Sequence, residues 1–177
     1  MFNFFRQIRI NKNFNKLQKL FAMRTLNQWL AEYGESHTNE TNKLIHWICV
    51  PAIFFSITGL LYCIKLPWNI TETLQFNMAI IALLLVSIYY FSLSISIGIG
   101  MLFFGIICLA LCYVVENYLP LALWLFCIII FIAAWIGQFY GHNIEGKKPS
   151  FLKDIQFLMI GPMWLMSFVY KKLGIRF

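Results

Sequence analysis

The stretch from residue 33 to residue 62, YGESHTNETNKLIHWICVPAIFFSITGLLY, decides the fold, because a polar segment passes within it into a long apolar run. The apolar run from Leu44 to Tyr62 is long enough to cross the hydrocarbon core of a bilayer as a helix. The polar segment before it holds His37, and His46 lies just inside the run. The pattern predicts a membrane helix that carries imidazole groups where it meets water.

The composition of the whole chain extends this interpretation. Of the 177 residues 60% are hydrophobic and 12% are charged, and the mean hydropathy is +0.72, whereas soluble domains are about half apolar and about a quarter charged. Within lipid the backbone must form helices or a closed barrel, and apolar runs such as MAIIALLLVSIYYF lack the alternation of a barrel strand. We therefore expect an all-α fold, a polytopic membrane helix bundle.

Four apolar runs are candidates for the main transmembrane helices, and a fifth is different. The fifth, Ile155–Tyr170, contains Gly161-Pro162 and precedes a basic tail. A full crossing there would place that tail on the outer side, against the positive-inside rule. We therefore expect a C-terminal re-entrant or interfacial hairpin, with two short helices broken at Gly161-Pro162 as the alternative. The four main spans are predicted at Leu44–Tyr62, Leu74–Ser92, Ile99–Val115 and Leu121–Tyr140.

The net charge of +7 indicates membrane lipid as a partner and excludes nucleic acid, because the basic residues flank apolar segments. Residues 1–26 are predicted to form a basic cytoplasmic or interfacial segment, and residues 27–177 a single membrane-embedded catalytic domain. With the N-terminus in the cytoplasm, four crossings bring His37, His46 and His142 to the cytoplasmic face. We expect an integral, multi-pass protein of a bacterial inner membrane, or of the endoplasmic reticulum if the host is eukaryotic.

Two of these histidines belong to polar stripes, each formed by side chains on one face of a predicted helix. Asn39 is a plausible N-cap, and at helical spacing Asn39, Asn42 and His46 share one face. Gln138, His142 and Glu145 form a second stripe if the last main helix continues past Gly141. Imidazole ligands suit iron, zinc, copper or nickel. Three alternatives stay open from the residues alone: a metal-dependent enzyme, a haem-binding or redox-carrier membrane protein, and a non-enzymatic lipid-binding membrane protein.

The cysteines and tryptophans are interpreted as structural residues. The cysteines lie in or at the end of apolar runs, so we expect them to pack in the core without disulfides. Tryptophans are frequent at membrane interfaces, and this role is predicted for Trp29, Trp47, Trp68 and Trp164.

Two blocks of the sequence resemble the signature blocks of the 2-hydroxy fatty acid dioxygenase family, whose fungal member shortens 2-hydroxy fatty acids by one carbon. The first, YGESHTNETNKLIHWICVPAIFFSITGLL, matches at His37, Asn39, Asn42, Ile45-His46 and Val50-Pro51. The second, IGQFYGHNIEGKKPSFLKDIQFLMIGPMWLM, matches at Gln138-Phe139, Gly141-His142, Glu145, Pro149 and Gly161-Pro162.

The resemblance implies an Fe(II)-dependent dioxygenase that uses molecular oxygen as co-substrate. It implies that the metal is held by His37, His46 and His142, and that the substrate is a 2-hydroxy fatty acid, released one carbon shorter. The acyl tail would lie among the apolar helices, and a homo-oligomer is compatible with this arrangement. The catalytic residues expected to orient ligands or substrate are Asn39, Asn42, Gln138 and Glu145.

Overall fold

The computed structural model describes residues 25–72, 75–146 and 151–177, with side chains from residue 157 onward in the last range. The predicted basic segment falls almost entirely on residues 1–24, outside the described part. Within that part the chain forms six helices and one two-stranded sheet. These elements are α1 (Leu26–Gly34), α2 (Glu40–Tyr62), β1 (Lys65–Asn69), β2 (Gln75–Asn77), α3 (Met78–Leu93), α4 (Ile95–Tyr118), α5 (Leu123–Glu145) and α6 (Phe151–Leu173).

Local signals set the two helix ends that matter most for the site. Asn39 is the N-cap of α2, as predicted, and its side-chain oxygen accepts hydrogen bonds from the amides of Thr41 and Asn42. Helix α5 continues past Gly141 to Glu145 and ends at Gly146, whose φ of 70° is in the left-handed region that favours glycine. The stripe of Gln138, His142 and Glu145 therefore lies on one continuous helix.

Within the described ranges, three helices are long and apolar enough to cross a membrane, namely Glu40–Tyr62, Ile95–Tyr118 and Leu123–Ile144. The chain is thus an integral multi-pass membrane protein. The second predicted span is shorter than expected, because residues 75–77 form β2 and pair antiparallel with β1. The remaining helix, Met78–Leu93, has 16 residues, or about 24 Å at the rise of an α-helix, against roughly 30 Å of hydrocarbon.

The three long apolar helices and the shorter α3 run alternately up and down. Their ends therefore meet at two opposite ends of the bundle. At one end a cluster joins the end of α2 to the starts of α3 and α5, through Tyr62, Ala79, Leu123 and Cys127. We call this the hairpin end, because β1 and β2 adjoin it. The opposite end, where α2 begins and α5 finishes, carries the histidines and is called the histidine end.

The expected C-terminal hairpin is wrong, because α6 is one helix of 23 residues with Pro162 inside it. Proline removes a helical N–H and crowds the preceding turn. The hydroxyl of Tyr90 donates to the Met159 carbonyl at 2.7 Å, which supplies a hydrogen-bond donor in that turn. The hydroxyl of Tyr170 donates to the Ser96 carbonyl at 2.6 Å, so α6 is tied at two points to the α3–α4 pair.

Candidate metal centre

Three separate elements bring the three histidines together. His37 lies in the link between α1 and α2, His46 in the second turn of α2, and His142 in the last turn of α5. Each offers one ring nitrogen as a ligand atom, and these three nitrogens lie within 4.8 Å of one another. The side chains of His37 and His46 are buried, at 3% and 0% exposure, and His142 is partly buried. The sequence predicts these residues at one face, and the structure places them at one point.

Backbone carbonyls orient two of the imidazole rings. The Nδ1–H of His37 donates to the Tyr33 carbonyl at 2.6 Å, and the Nδ1–H of His46 donates to the Asn42 carbonyl at 2.8 Å. A carbonyl can only accept, so each Nδ1 carries the hydrogen and each neutral ring presents a lone pair at Nε2. These two Nε2 atoms face each other at 2.9 Å.

This arrangement fits a bound metal ion. Two lone pairs that point at each other repel unless a cation, either a proton or a metal, lies between them. Metal–imidazole bonds are about 2.0–2.1 Å for zinc, and two such ligands at a right angle place their nitrogens about 3 Å apart. A third imidazole beside the pair favours a metal over a shared proton. His37, His46 and His142 can therefore hold one ion through three ring nitrogens.

The donor set has no carboxylate. Among the residues that the structure describes, the three histidines form the one group with metal-ligand geometry. Many non-haem iron oxygenases use two histidines and a carboxylate. Three neutral imidazoles instead leave the full charge of a divalent ion to be balanced by another ligand.

The Glu145 carboxylate faces the start of α2. It accepts hydrogen bonds from the Thr38 amide at 2.8 Å, from the Thr38 hydroxyl, from the Asn39 amide at 3.0 Å and from the Asn42 side-chain amide at 3.0 Å. Desolvation raises the pKa of Glu145, but these hydrogen bonds outweigh it and lower the pKa to about 2. Glu145 is therefore ionised across the physiological pH range.

The other predicted site residues have different surroundings. The Asn39 side chain caps α2. Asn42 is fully buried, and its Oδ1 atom has no hydrogen-bond partner in the described part of the chain. That oxygen lies against the Cα of Gly141, where a Cβ would overlap it. Gln138 is 7% exposed and precedes His142 by one turn of α5.

Sequence reasoning missed the aromatic residues that enclose His37. The Tyr33 ring stacks on the His37 ring at 4.2 Å with an interplanar angle of 9°, and the Trp164 ring lies 5.4 Å from the same imidazole. Trp164 is 5% exposed, so its prediction as an interface anchor is wrong, whereas Trp47 and Trp68 are exposed. The spacing of four residues between Tyr33 and His37 was the available signal for the stacked pair.

Comparisons with known proteins point to one family. The family model described as "2-hydroxy-palmitic acid dioxygenase Mpo1-like" matches residues 23–173. The 2-hydroxy-palmitic acid dioxygenase MPO1 of Saccharomyces cerevisiae is 30% identical over 151 residues, covering 84% of this chain and 82% of that protein. No solved structure matches the chain significantly. The matched region contains every residue of the histidine cluster and its hydrogen-bonded neighbours.

Proposed function

The chain belongs to the Mpo1-like family of 2-hydroxy-palmitic acid dioxygenases, and we propose that it uses iron(II) and molecular oxygen to shorten 2-hydroxy fatty acids by one carbon. The observation that carries the proposal is the convergence of His37, His46 and His142, in which the Nε2 atoms of His37 and His46 lie 2.9 Å apart. Iron(II) held there would supply the redox chemistry for dioxygen reduction and a Lewis acid for the hydroxy acid.

The neutral donor set supports a 2-hydroxy acid as substrate. Three imidazoles contribute no negative charge, so an anionic ligand is favoured at the remaining positions. A 2-hydroxy carboxylate would offer a bound cation one negative charge and a second oxygen donor. A simple fatty acid lacks the second oxygen donor, and this difference supports selection for the 2-hydroxy group.

The overall reaction balances without an external reductant. Cleavage of the C1–C2 bond converts C2 from an alcohol to a carboxyl carbon and C1 from a carboxyl carbon to carbon dioxide. These changes release four electrons, which is the number that one dioxygen accepts. A 2-hydroxy acid and dioxygen therefore yield the shortened acid, carbon dioxide and water.

Residues of the chain bind, shield and orient around this centre. The rings of Tyr33 and Trp164 cover His37 and exclude water from it. Gln138 lies one turn before His142 on α5, toward the bundle interior. We assign its amide to the substrate carboxyl group. The acyl tail then extends among the apolar helices, so the substrate enters the site from the bilayer.

The membrane topology follows from the same placement. We propose that α2, α3, α4 and α5 all cross, and that the histidine end lies on the cytoplasmic side. The exposed basic residues at and after the end of α6 support this side, because Lys171, Lys172 and Arg176 belong to the histidine end of the molecule. At the hairpin end Lys65 is paired with Glu116.

A turnover assay tests the proposed function. The purified protein, loaded anaerobically with iron(II) and then given oxygen and 2-hydroxypalmitate, is expected to release pentadecanoate. His46→Ala and His142→Ala should each abolish turnover and lower iron occupancy, because each removes one of three metal ligands. Glu116→Gln at the hairpin end is the matched control and should keep both. Iron-loaded protein that releases no shortened acid from 2-hydroxy acids of several lengths would contradict the proposal.

A further inference from the structure

We propose that Glu145 is a positioning residue, which sets the spacing of the three histidines by joining the end of α5 to the start of α2. The inference rests on the proposed metal-dependent function and concerns how the chain holds the metal ligands. Glu145 itself is outside the group of metal-capable side chains, and its carboxylate oxygens are taken up by groups of α2 and of the link before it.

The position of Glu145 at the end of α5 indicates that it stabilises the contact with α2. An acid at the C-terminal end of a helix faces the negative end of the helix dipole, which is unfavourable. The same carboxylate lies at the N-terminus of α2, where unpaired backbone N–H groups favour an anion. Glu145 thus acts as an N-terminal cap for α2 supplied by a different helix, in addition to the Asn39 side chain.

Two of its partners, Thr38 and Asn42, are each directly linked to one metal ligand. Thr38 follows His37 in the chain, so the two hydrogen bonds from Thr38 fix the link that carries that imidazole. Asn42 donates to Glu145 through its side chain and accepts from the His46 ring through its carbonyl. His142 lies one turn before Glu145 on α5. One carboxylate therefore connects all three histidines through short, hydrogen-bonded paths.

The packing beneath the carboxylate makes this connection rigid. Asn42 is fully buried and its Oδ1 atom lies against the Cα of Gly141, next to His142. The amide of Asn42 cannot rotate without losing its bond to the carboxylate, because the exchanged oxygen would then face another acceptor. Glu145, Asn42 and Gly141 therefore hold α2 and α5 at one separation at the level of the metal.

Metal affinity, measured apart from turnover, is the readout that tests the proposal. Cobalt(II) is titrated into the metal-free, detergent-solubilised protein, and its visible absorption reports imidazole ligation. Glu145→Gln keeps the size of the side chain and places an N–H donor against the Asn42 or Asn39 donor. We expect it to weaken cobalt(II) binding about 10- to 100-fold, the usual effect of losing a partner that orients metal ligands. Glu116→Gln should bind cobalt(II) as the wild type does.

Two further variants keep the test decisive if Glu145→Gln folds poorly. Thr38→Val removes the hydroxyl donor and leaves the amide, so cobalt(II) binding should weaken by about fivefold, the equivalent of one hydrogen bond. Asn42→Asp combined with Glu145→Gln reverses the polarity of the contact, so that the glutamine amide donates to the new carboxylate. This pair should recover most of the lost affinity, because an acidic side chain is favoured in the first turn of a helix such as α2.

The outcomes separate this inference from the proposed function. Wild-type cobalt(II) affinity in Glu145→Gln, with a fall in kcat alone, would show that Glu145 acts on the substrate and would overturn the positioning role. Unchanged affinity in Thr38→Val together with no recovery in the double variant would also overturn it. Weakened binding in Glu145→Gln supports the positioning role even if the iron-loaded wild type fails to turn over any 2-hydroxy acid.

Discussion

At the histidine end of the bundle, the carboxylate of Glu145 accepts hydrogen bonds from uncharged groups at the start of α2. At the hairpin end, the carboxylate of Glu116 pairs with the ammonium of Lys65 at 2.9 Å. Both acids join two elements. The first is followed inward by the buried side chains of His37, Asn42, His46 and Gln138. At the second end the buried amide of Asn77 bonds locally, to Gln75 and Ile80, and the thiols of Cys112 and Cys127 are buried between helices.

The difference between the two ends follows from the free-energy cost of burying polar groups and from the function proposed for the histidine end. A buried polar group must be hydrogen-bonded or it lowers stability, and polar groups near the membrane interior tend to be retained for function. Thiols fill space between helices with little such cost. The chain therefore places its buried imidazoles at one end, whereas thiols and a locally bonded amide fill the other end. Three experiments can break or sharpen this division.

The largest effect concerns which side of the membrane each end faces. In a Cys63→Ala background, single cysteines at exposed Lys172 and exposed Asn69 mark the histidine and hairpin ends. A membrane-impermeant maleimide applied to intact cells should label Asn69→Cys fully and leave Lys172→Cys unlabelled until the cells are permeabilised. Labelling of both positions in intact cells would contradict the proposed four crossings.

The sequence predicted the parts of the site that depend on local spacing. The N-cap at Asn39 was predicted from the residues that follow it. The stripe of Gln138, His142 and Glu145 was predicted on the condition that the helix continues past Gly141, and α5 does continue to Glu145. The stacking of Tyr33 on His37 is also local, but the roles of Thr38 and Trp164 are not, because each depends on a contact with a distant helix. A single sequence gives no distance between helices.

The distinction between local signals and contacts between elements also explains the errors in the predicted fold. Gly161-Pro162 is a strong local signal for a break, yet α6 is continuous, and hydroxyls of Tyr90 and Tyr170 tie it to its neighbours. The sequence predicts no strand between the first two spans, whereas the pairing of Lys65 with Asn77 makes a short hairpin that shortens α3. In both places contacts between elements outweigh the local preference.

The next effect concerns two glycines at which α2 and α5 approach closely. A Cβ on Gly141 would overlap Asn42 Oδ1, and a Cβ on Gly59 would overlap Cys127 Sγ. We expect Gly141→Ala to lower the free energy of unfolding by about 2–3 kcal/mol and Gly59→Ala by about 1 kcal/mol. The second is smaller because the Cys127 thiol can rotate away, whereas the Asn42 amide is held by Glu145.

Metal binding separates the two glycine variants further. Gly141→Ala should also weaken cobalt(II) binding, because the displaced helix carries His142, whereas Gly59→Ala should leave the affinity unchanged. Chemical unfolding in mixed micelles measures stability, and titration of the folded protein measures affinity. Gly59→Ala combined with Cys127→Ala should recover stability, since the new methyl group takes the space of the thiol. A similar loss of affinity in Gly59→Ala would show that the two ends are coupled.

The smallest effect is expected at the hairpin end itself. The side chains of Lys65 and Glu116 are 27% and 36% exposed, and exposed ion pairs contribute roughly 0–1 kcal/mol. In Glu116→Gln the Lys65 ammonium keeps its contact with the Tyr62 ring, whose centroid is 3.7 Å away. The free energy of unfolding should therefore fall by less than about 1 kcal/mol, and raising the salt concentration should lower the wild-type value toward that of the variant. In Glu145→Gln, whose lost partners are uncharged, the free energy of unfolding should not converge with that of the wild type as salt is raised. A matching salt dependence in both variants would mean that the two acids stabilise the bundle in the same way.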